Sequence, residues 1–95
     1  MLKQLAWSEE EITLFHYRDK DQIEVDVVAE NSAREIVGLE IKAAATVTAR
    51  DFRGLERLQA ACGHSFKTGV VLYDGNRILP FGDRLYAAPF ACIWS

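Results

Sequence analysis

QIEVDVVAENSAREIVGLEIKA, residues 22–43, carries two strand-like runs, 22–30 and 35–43, joined by the turn cluster Asn31-Ser32-Ala33-Arg34. Both runs are rich in Val and Ile, the β-branched residues that suit a pleated surface. Side chains two apart in a strand share a face, so Ile23, Val25 and Val27 are expected to point one way and Glu24, Asp26 and Val28 the other. The same rule sets Val37, Leu39 and Ile41 against Gly38, Glu40 and Lys42. Each run therefore carries ionic residues at its centre, among apolar neighbours. A buried carboxylate costs several kcal/mol unless it is paired or bound to a cation, so an ordinary core avoids this arrangement.

Working outward, 12–18 reads as a preceding strand, and Asp19-Lys20-Asp21 is a turn, so the first three strands form an antiparallel meander. Downstream, Thr48 is an N-cap with Asp51 at the third helical position, where an acid suits the free N–H groups and the helix dipole. Phe52, Leu55, Leu58, Gln59 and Cys62 fall on one face and Gly63 stands at the C-terminal stop, which predicts a helix over 48–62. The run Val70-Val71-Leu72 marks a buried strand over 66–73, which a helical crossover places parallel to the third. Asp74-Gly75-Asn76 signals a tight turn into a return strand over 77–81. Gly82-Asp83-Arg84 breaks that strand, and 85–94 is a short apolar, strand-like segment interrupted by Pro89. At the start, Leu2, Leu5 and Ala6 have the spacing of the tail of a helix, followed by a charged loop at Ser8-Glu9-Glu10-Glu11. The expectation is an α/β (α+β) domain over 1–95: a mixed sheet of about five strands with one helix packed on a face.

Composition bounds the function. A chain of 95 residues, 49% hydrophobic, has room for one core. Lys and Arg number 11 against 14 Asp and Glu, a net charge of −3, so any contact with nucleic acid is local rather than a property of the whole surface. No apolar run approaches the ~18 residues of a membrane span, and residues 1–7 are too short and polar for a signal peptide. The cytoplasm is the expected location. Cys62 and Cys92 form no CxxC pair, and His16 and His64 have no partner at ligand spacing, so neither zinc nor a disulfide framework is indicated.

An Asp on one strand and a Glu-x-Lys on the next place Asp26, Glu40 and Lys42 within reach of one point. Carboxylate pairs of this kind hold Mg²⁺, which completes its octahedron with waters and phosphate oxygens. The ion lowers the pKa of a bound water and neutralises charge on phosphorus, and a lysine orients that water. The competing reading is an inter-strand ion-pair cluster on a solvated face, with no metal. Arg50, Arg53 and Arg57 recur along the helix opposite its apolar face and are candidates for phosphate contacts, against a plain solvated face balanced by Asp51 and Glu56.

Glu24-Val25-Asp26 followed by Gly38-Leu39-Glu40-Ile41-Lys42-Ala43 resembles the PD-(D/E)xK, restriction-endonuclease-like superfamily. With Tyr17-Arg18, Gly69-Val70-Val71-Leu72-Tyr73 and Leu79-Pro80-Phe81-Gly82 in order, nearly the whole chain is similar to a domain of unknown function that ends many prokaryotic AAA-type ATPases. The resemblance implies a helix, three strands, a crossover helix and a further strand, with Asp26 as the motif aspartate, Glu40 its acidic member and Lys42 its lysine. It further implies Mg²⁺ or Mn²⁺ held by Asp26 and Glu40. Val25 replaces the motif's proline, residues 1–7 hold no acid where the superfamily's first helix often supplies a glutamate, and no Gly-x-x-x-x-Gly-Lys-Ser/Thr loop is present.

Two functions follow as expectations. One is a metal-dependent nuclease acting on nucleic acid. The other is a catalytically inactive, nuclease-derived interaction or oligomerisation module that pairs with itself, as a dimer, or serves an AAA-type ATPase. On either, the chain reads as one domain of a larger architecture, lacking its ATPase and most of its first helix.

Overall fold

The computed structural model describes residues 12–90. The helix tail and charged loop expected over 1–11, and the end of the apolar segment over 91–94, lie outside the described residues. Strands β1 (Thr13–Arg18), β2 (Glu24–Glu30) and β3 (Ile36–Ile41) form the expected antiparallel meander. Its two turns use one device. Asp19 Oδ1 accepts from the N–H groups of Asp21 and Ile23, at 2.9 and 3.0 Å, and Asn31 Oδ1 accepts from Ala33 and Glu35, at 3.0 and 2.9 Å. Each turn closes through a non-glycine residue in the left-handed region, Gln22 at φ 66° and Arg34 at φ 67°.

The crossover starts as a short 3-10 turn, Ala49–Phe52, and continues as helix α1 (Arg53–Cys62), so the helix expected over 48–62 begins in a tighter winding. Thr48 and Asp51 form a capping box at its entry. Strand β4 (Phe66–Tyr73) then pairs parallel to β3, as the crossover requires. Gly38 and Gly69 face each other across β3 and β4, leaving a hollow in the sheet. A Cβ on Gly38 would stand 2.7 Å from Leu55 Cδ2 and 2.8 Å from Leu58 Cδ2, so these glycines let the helix settle onto the strands. Around them Val25, Val28, Phe52, Phe66, Val71 and Leu85 complete the core between helix and sheet. On the opposite face Ala29, Val37, Leu39 and Leu72 are buried as well, as suits central strands.

Two expectations give way here. The expected mixed sheet with one helix on a face is present, with six strands in the order β1-β2-β3-β4-β6-β5, where β5 is Leu79–Gly82 and β6 is Leu85–Pro89, but the place of the return strand differs. The segment after the Asp74-Gly75-Asn76 turn does not return against β4; β6 takes that place, parallel to β4, and β5 pairs antiparallel with β6 at the sheet edge. The reason lies in side chains. Leu85, Ala87 and Ala88 are buried and suit an interior strand that Pro89 only ends, whereas β5 has Pro80 within it, which lacks a ladder donor, and alternately exposed residues. The β5–β6 turn is held by Arg84, whose guanidinium donates to the Phe66 carbonyl at 2.6 Å and whose own carbonyl accepts from Gly69 N–H at 2.8 Å.

The second correction concerns faces. Phe15 pairs with Val28 but Tyr17 with Val25, so β2 spends one extra residue there, a β-bulge at Asp26-Val27. Val25 and Val28 consequently both join the helix-side core, each 0% exposed, and Asp26 does not share a face with Val28.

Candidate functional site

The bulge ends the β2–β3 ladder at the pair Val27 and Leu39. Beyond it two backbone donors have lost their strand partners, and the carboxylates of Asp26 and Glu40 take them up. Asp26 N–H donates to Glu40 Oε1 at 2.7 Å, and Ile41 N–H donates to Asp26 Oδ2 at 2.9 Å. The two carboxylates thus brace the splayed strands reciprocally. Each commits one oxygen, and a carboxylate has about four lone-pair sites, so acceptor capacity remains on both.

Lys42 follows one residue beyond β3, its N–H donating to the Leu72 carbonyl at 2.8 Å. Its ammonium donates to Asp51 Oδ2 at 2.5 Å, and the same oxygen accepts from Thr48 N–H at 2.8 Å. Burial raises the Asp51 carboxyl, but the Lys42 and Thr48 hydrogen bonds outweigh it and hold the group below its ordinary value. The expected convergence of Asp26, Glu40 and Lys42 on one point is therefore only partial. The acids meet, while Lys42 turns toward the start of the crossover.

Between the start of β2, the end of β3 and the 3-10 turn lies a cleft of about 340 Å³. Its charged lining is Glu24, Glu40, Lys42, Arg50, Asp51 and Arg53; Asp26 does not line it but donates its N–H to Glu40. Gly54 lets the helix approach this closely, because a Cβ there would lie 2.2 Å from the Glu24 carbonyl oxygen. Burial pushes the Glu40 carboxyl up to about 7, with the Asp26 and Glu24 carboxylates adding to the rise against the Asp26 N–H bond and His16. Glu24 is engaged by His16, at 2.7 Å between Nε2 and Oε1, and by Arg18 at 3.6 Å.

Among the described residues, no group of three or more His, Cys, Asp or Glu side chains is placed to hold a metal ion. Asp26 and Glu40 offer two hard oxygen donors, the number that Mg²⁺ takes from protein when waters and phosphate oxygens fill its other positions.

The arginine stripe divides. Arg57 donates to Asp19 and Asp21 in the β1–β2 turn, at 3.1 and 3.0 Å, and so clamps helix to hairpin. Arg50 and Arg53 line the cleft, exposed, and neither has an ion pair among the described residues. Sequence reasoning missed Asp51 as the partner of Lys42, having a reason for it only at the helix start. It also missed the His16–Glu24 contact, whose only sequence signal is the position of both residues beside the β1–β2 turn.

Among the described residues, no helix is long and apolar enough to cross a membrane. No curated protein and no solved structure matches the chain. A match over residues 1–93, nearly its full length, shows that the chain belongs to the family described as Domain of unknown function (DUF4143).

Proposed function

We propose that this chain is a nuclease-like domain of the PD-(D/E)xK type that cleaves phosphodiesters with Mg²⁺. The observation that carries the reading is the cleft itself, where a half-buried Glu40 braced against Asp26 shares the lining with two arginines that have no acidic partner among the described residues. The free oxygens of Asp26 and Glu40 would hold Mg²⁺, or Mn²⁺ in its place, which when bound activates a water and neutralises charge on phosphorus. Arg50 and Arg53 hold the phosphate, while the Lys42 ammonium in the same cleft is paired with Asp51. A divalent cation held there would compete with the proton that burial favours on Glu40. The test is incubation of the full chain with labelled DNA and RNA in Mg²⁺ and in Mn²⁺. Cleavage by the wild type, abolished in Asp26→Asn and Lys42→Ala, supports the reading; a wild type inert on every substrate in both metals overturns it.

A second reading has its own support. Asp26, Glu40 and Lys42 each have a structural partner, so the fold draws on all three without any chemistry. On that reading the chain is an inactive interaction or oligomerisation module, in the cytoplasm, that pairs with itself or with an AAA-type ATPase. Light-scattering mass separates the two: a monomer that cuts nucleic acid excludes the module, and an inert dimer favours it.

A further inference from the structure

The charges around the cleft limit what it can grip. Ten of the 11 lysines and arginines fall within the described residues, and most are already spent on acids. Lys42 is held by Asp51, Arg57 by Asp19 and Asp21, Arg18 by Glu24, Arg34 by Glu30, Lys67 by Glu35 and Arg84 by Asp83. Of the described bases without such a partner, Arg50 and Arg53 alone line the cleft. They sit three residues apart, from within the 3-10 turn to the first residue of α1, a spacing that puts side chains on one side of the winding. The opposite wall, with Glu24 and Glu40, repels a phosphate chain wherever no cation intervenes.

Resting on the phosphodiester reading of the cleft, we infer that its substrate is a single strand gripped through two phosphates, and that a duplex is not bound as such. A duplex-binding protein typically neutralises about 6–10 phosphates, spread along and across the groove. Here two guanidinium groups stand over a cleft of about 340 Å³, on a chain of net charge −3, so the footprint ends after two. Arg57 cannot extend it without giving up Asp19 and Asp21, on which the β1–β2 turn is clamped.

Salt dependence reads the number of phosphates directly. With two neutralised on a single strand the slope of log K against log salt is about −1.4, so affinity falls about 7-fold between 50 and 200 mM salt; six on a duplex would cost about 10³-fold. The measurement is fluorescence anisotropy of a labelled oligothymidylate and of a labelled duplex with the full chain, in Ca²⁺ to hold back cleavage. Expected are binding of the single strand with the shallow slope, and a loss of about 0.7 from that slope in Arg50→Ala and again in Arg53→Ala, both exposed residues. Tighter binding of the duplex, or a steep slope retained in both variants, overturns the two-phosphate grip while leaving the phosphodiester reading standing. Binding of neither probe overturns both.

Discussion

Replacing Glu40 by Gln should remove a pH dependence of stability that the wild type carries. The Glu40 carboxyl is raised from 4.5 to about 7, by burial first and then by the neighbouring Asp26 and Glu24 carboxylates. The folded chain therefore binds more protons than the unfolded chain between those two values, and stability falls as pH rises across the window. The contribution is fully present below 4.5 and gone above about 7. From about pH 5 to about pH 8, at ~1.36 kcal/mol per pH unit, the ceiling is ~2.7 kcal/mol. Water reaching the half-buried carboxylate screens it, which brings the expectation to ~1 kcal/mol. Glutamine keeps an oxygen to accept the Asp26 N–H, so the strand brace survives while the titration disappears. Urea unfolding of both proteins at the two pH values gives the answer as a double difference, in which other titrating groups cancel. The wild type should lose ~1 kcal/mol relative to Glu40→Gln on going to the higher pH. A difference that does not change with pH would refute the claim that burial and like charges hold a proton on Glu40.

Three further outcomes are expected. Asp26→Asn keeps an acceptor for Ile41 N–H but removes one like charge from Glu40, so the Glu40 midpoint, followed by carboxyl NMR, should fall from about 7; an unchanged midpoint would mean that Asp26 does not feel Glu40. Mn²⁺ at about a hundredfold its Kd should stabilise the wild type by ~2.7 kcal/mol in thermal unfolding and Asp26→Asn much less, whereas equal shifts would place the ion elsewhere. Gly54→Ala should destabilise by about 1–3 kcal/mol through overpacking, because its Cβ would lie 2.2 Å from the Glu24 carbonyl oxygen. The ~1 kcal/mol by which alanine favours a helix over glycine is the smaller effect, and a more stable variant would show that the helix can back away from β2.

The parts of the fold visible in the sequence were those set by local chemistry. Asp19 and Asn31 each announce a turn because a short side-chain acceptor can gather two backbone donors. Thr48 and Asp51 announce the crossover, and Val70-Val71-Leu72 announces a buried strand. What stayed hidden depended on distant neighbours. The place of β6 between β4 and β5 follows from competition between two apolar segments for one strand edge, which neither segment reveals alone. The bulge at Asp26-Val27 is invisible to a strict two-residue alternation, although Val27-Val28-Ala29 with a buried Val25 is what that alternation cannot accommodate. In the site, the strand pattern located Asp26 and Glu40, but the pairing of Lys42 with Asp51 is made by the intervening loop, and no spacing rule spans a loop.

The bulge also bears on why acids occupy this point of the sheet at all. An extra residue in β2 turns Asp26 N–H and Ile41 N–H away from strand partners, and the two carboxylates take the place of those partners as acceptors. Asparagine and glutamine would satisfy the same two donors without charge, and so without the like-charge repulsion that adds to the effect of burial on Glu40. The brace explains why acceptors stand here; it does not explain why they are acids. A fold selecting only for the brace gains nothing from placing the Asp26 and Glu24 carboxylates where they repel that of Glu40, with Arg18 and His16 both engaged by Glu24. The residual charge is rational if a cation enters the cleft. The double replacement Asp26→Asn with Glu40→Gln therefore decides between the two accounts: a more stable protein with lost Mn²⁺ binding marks charge kept for a ligand, and unchanged stability and metal response marks a brace and nothing more.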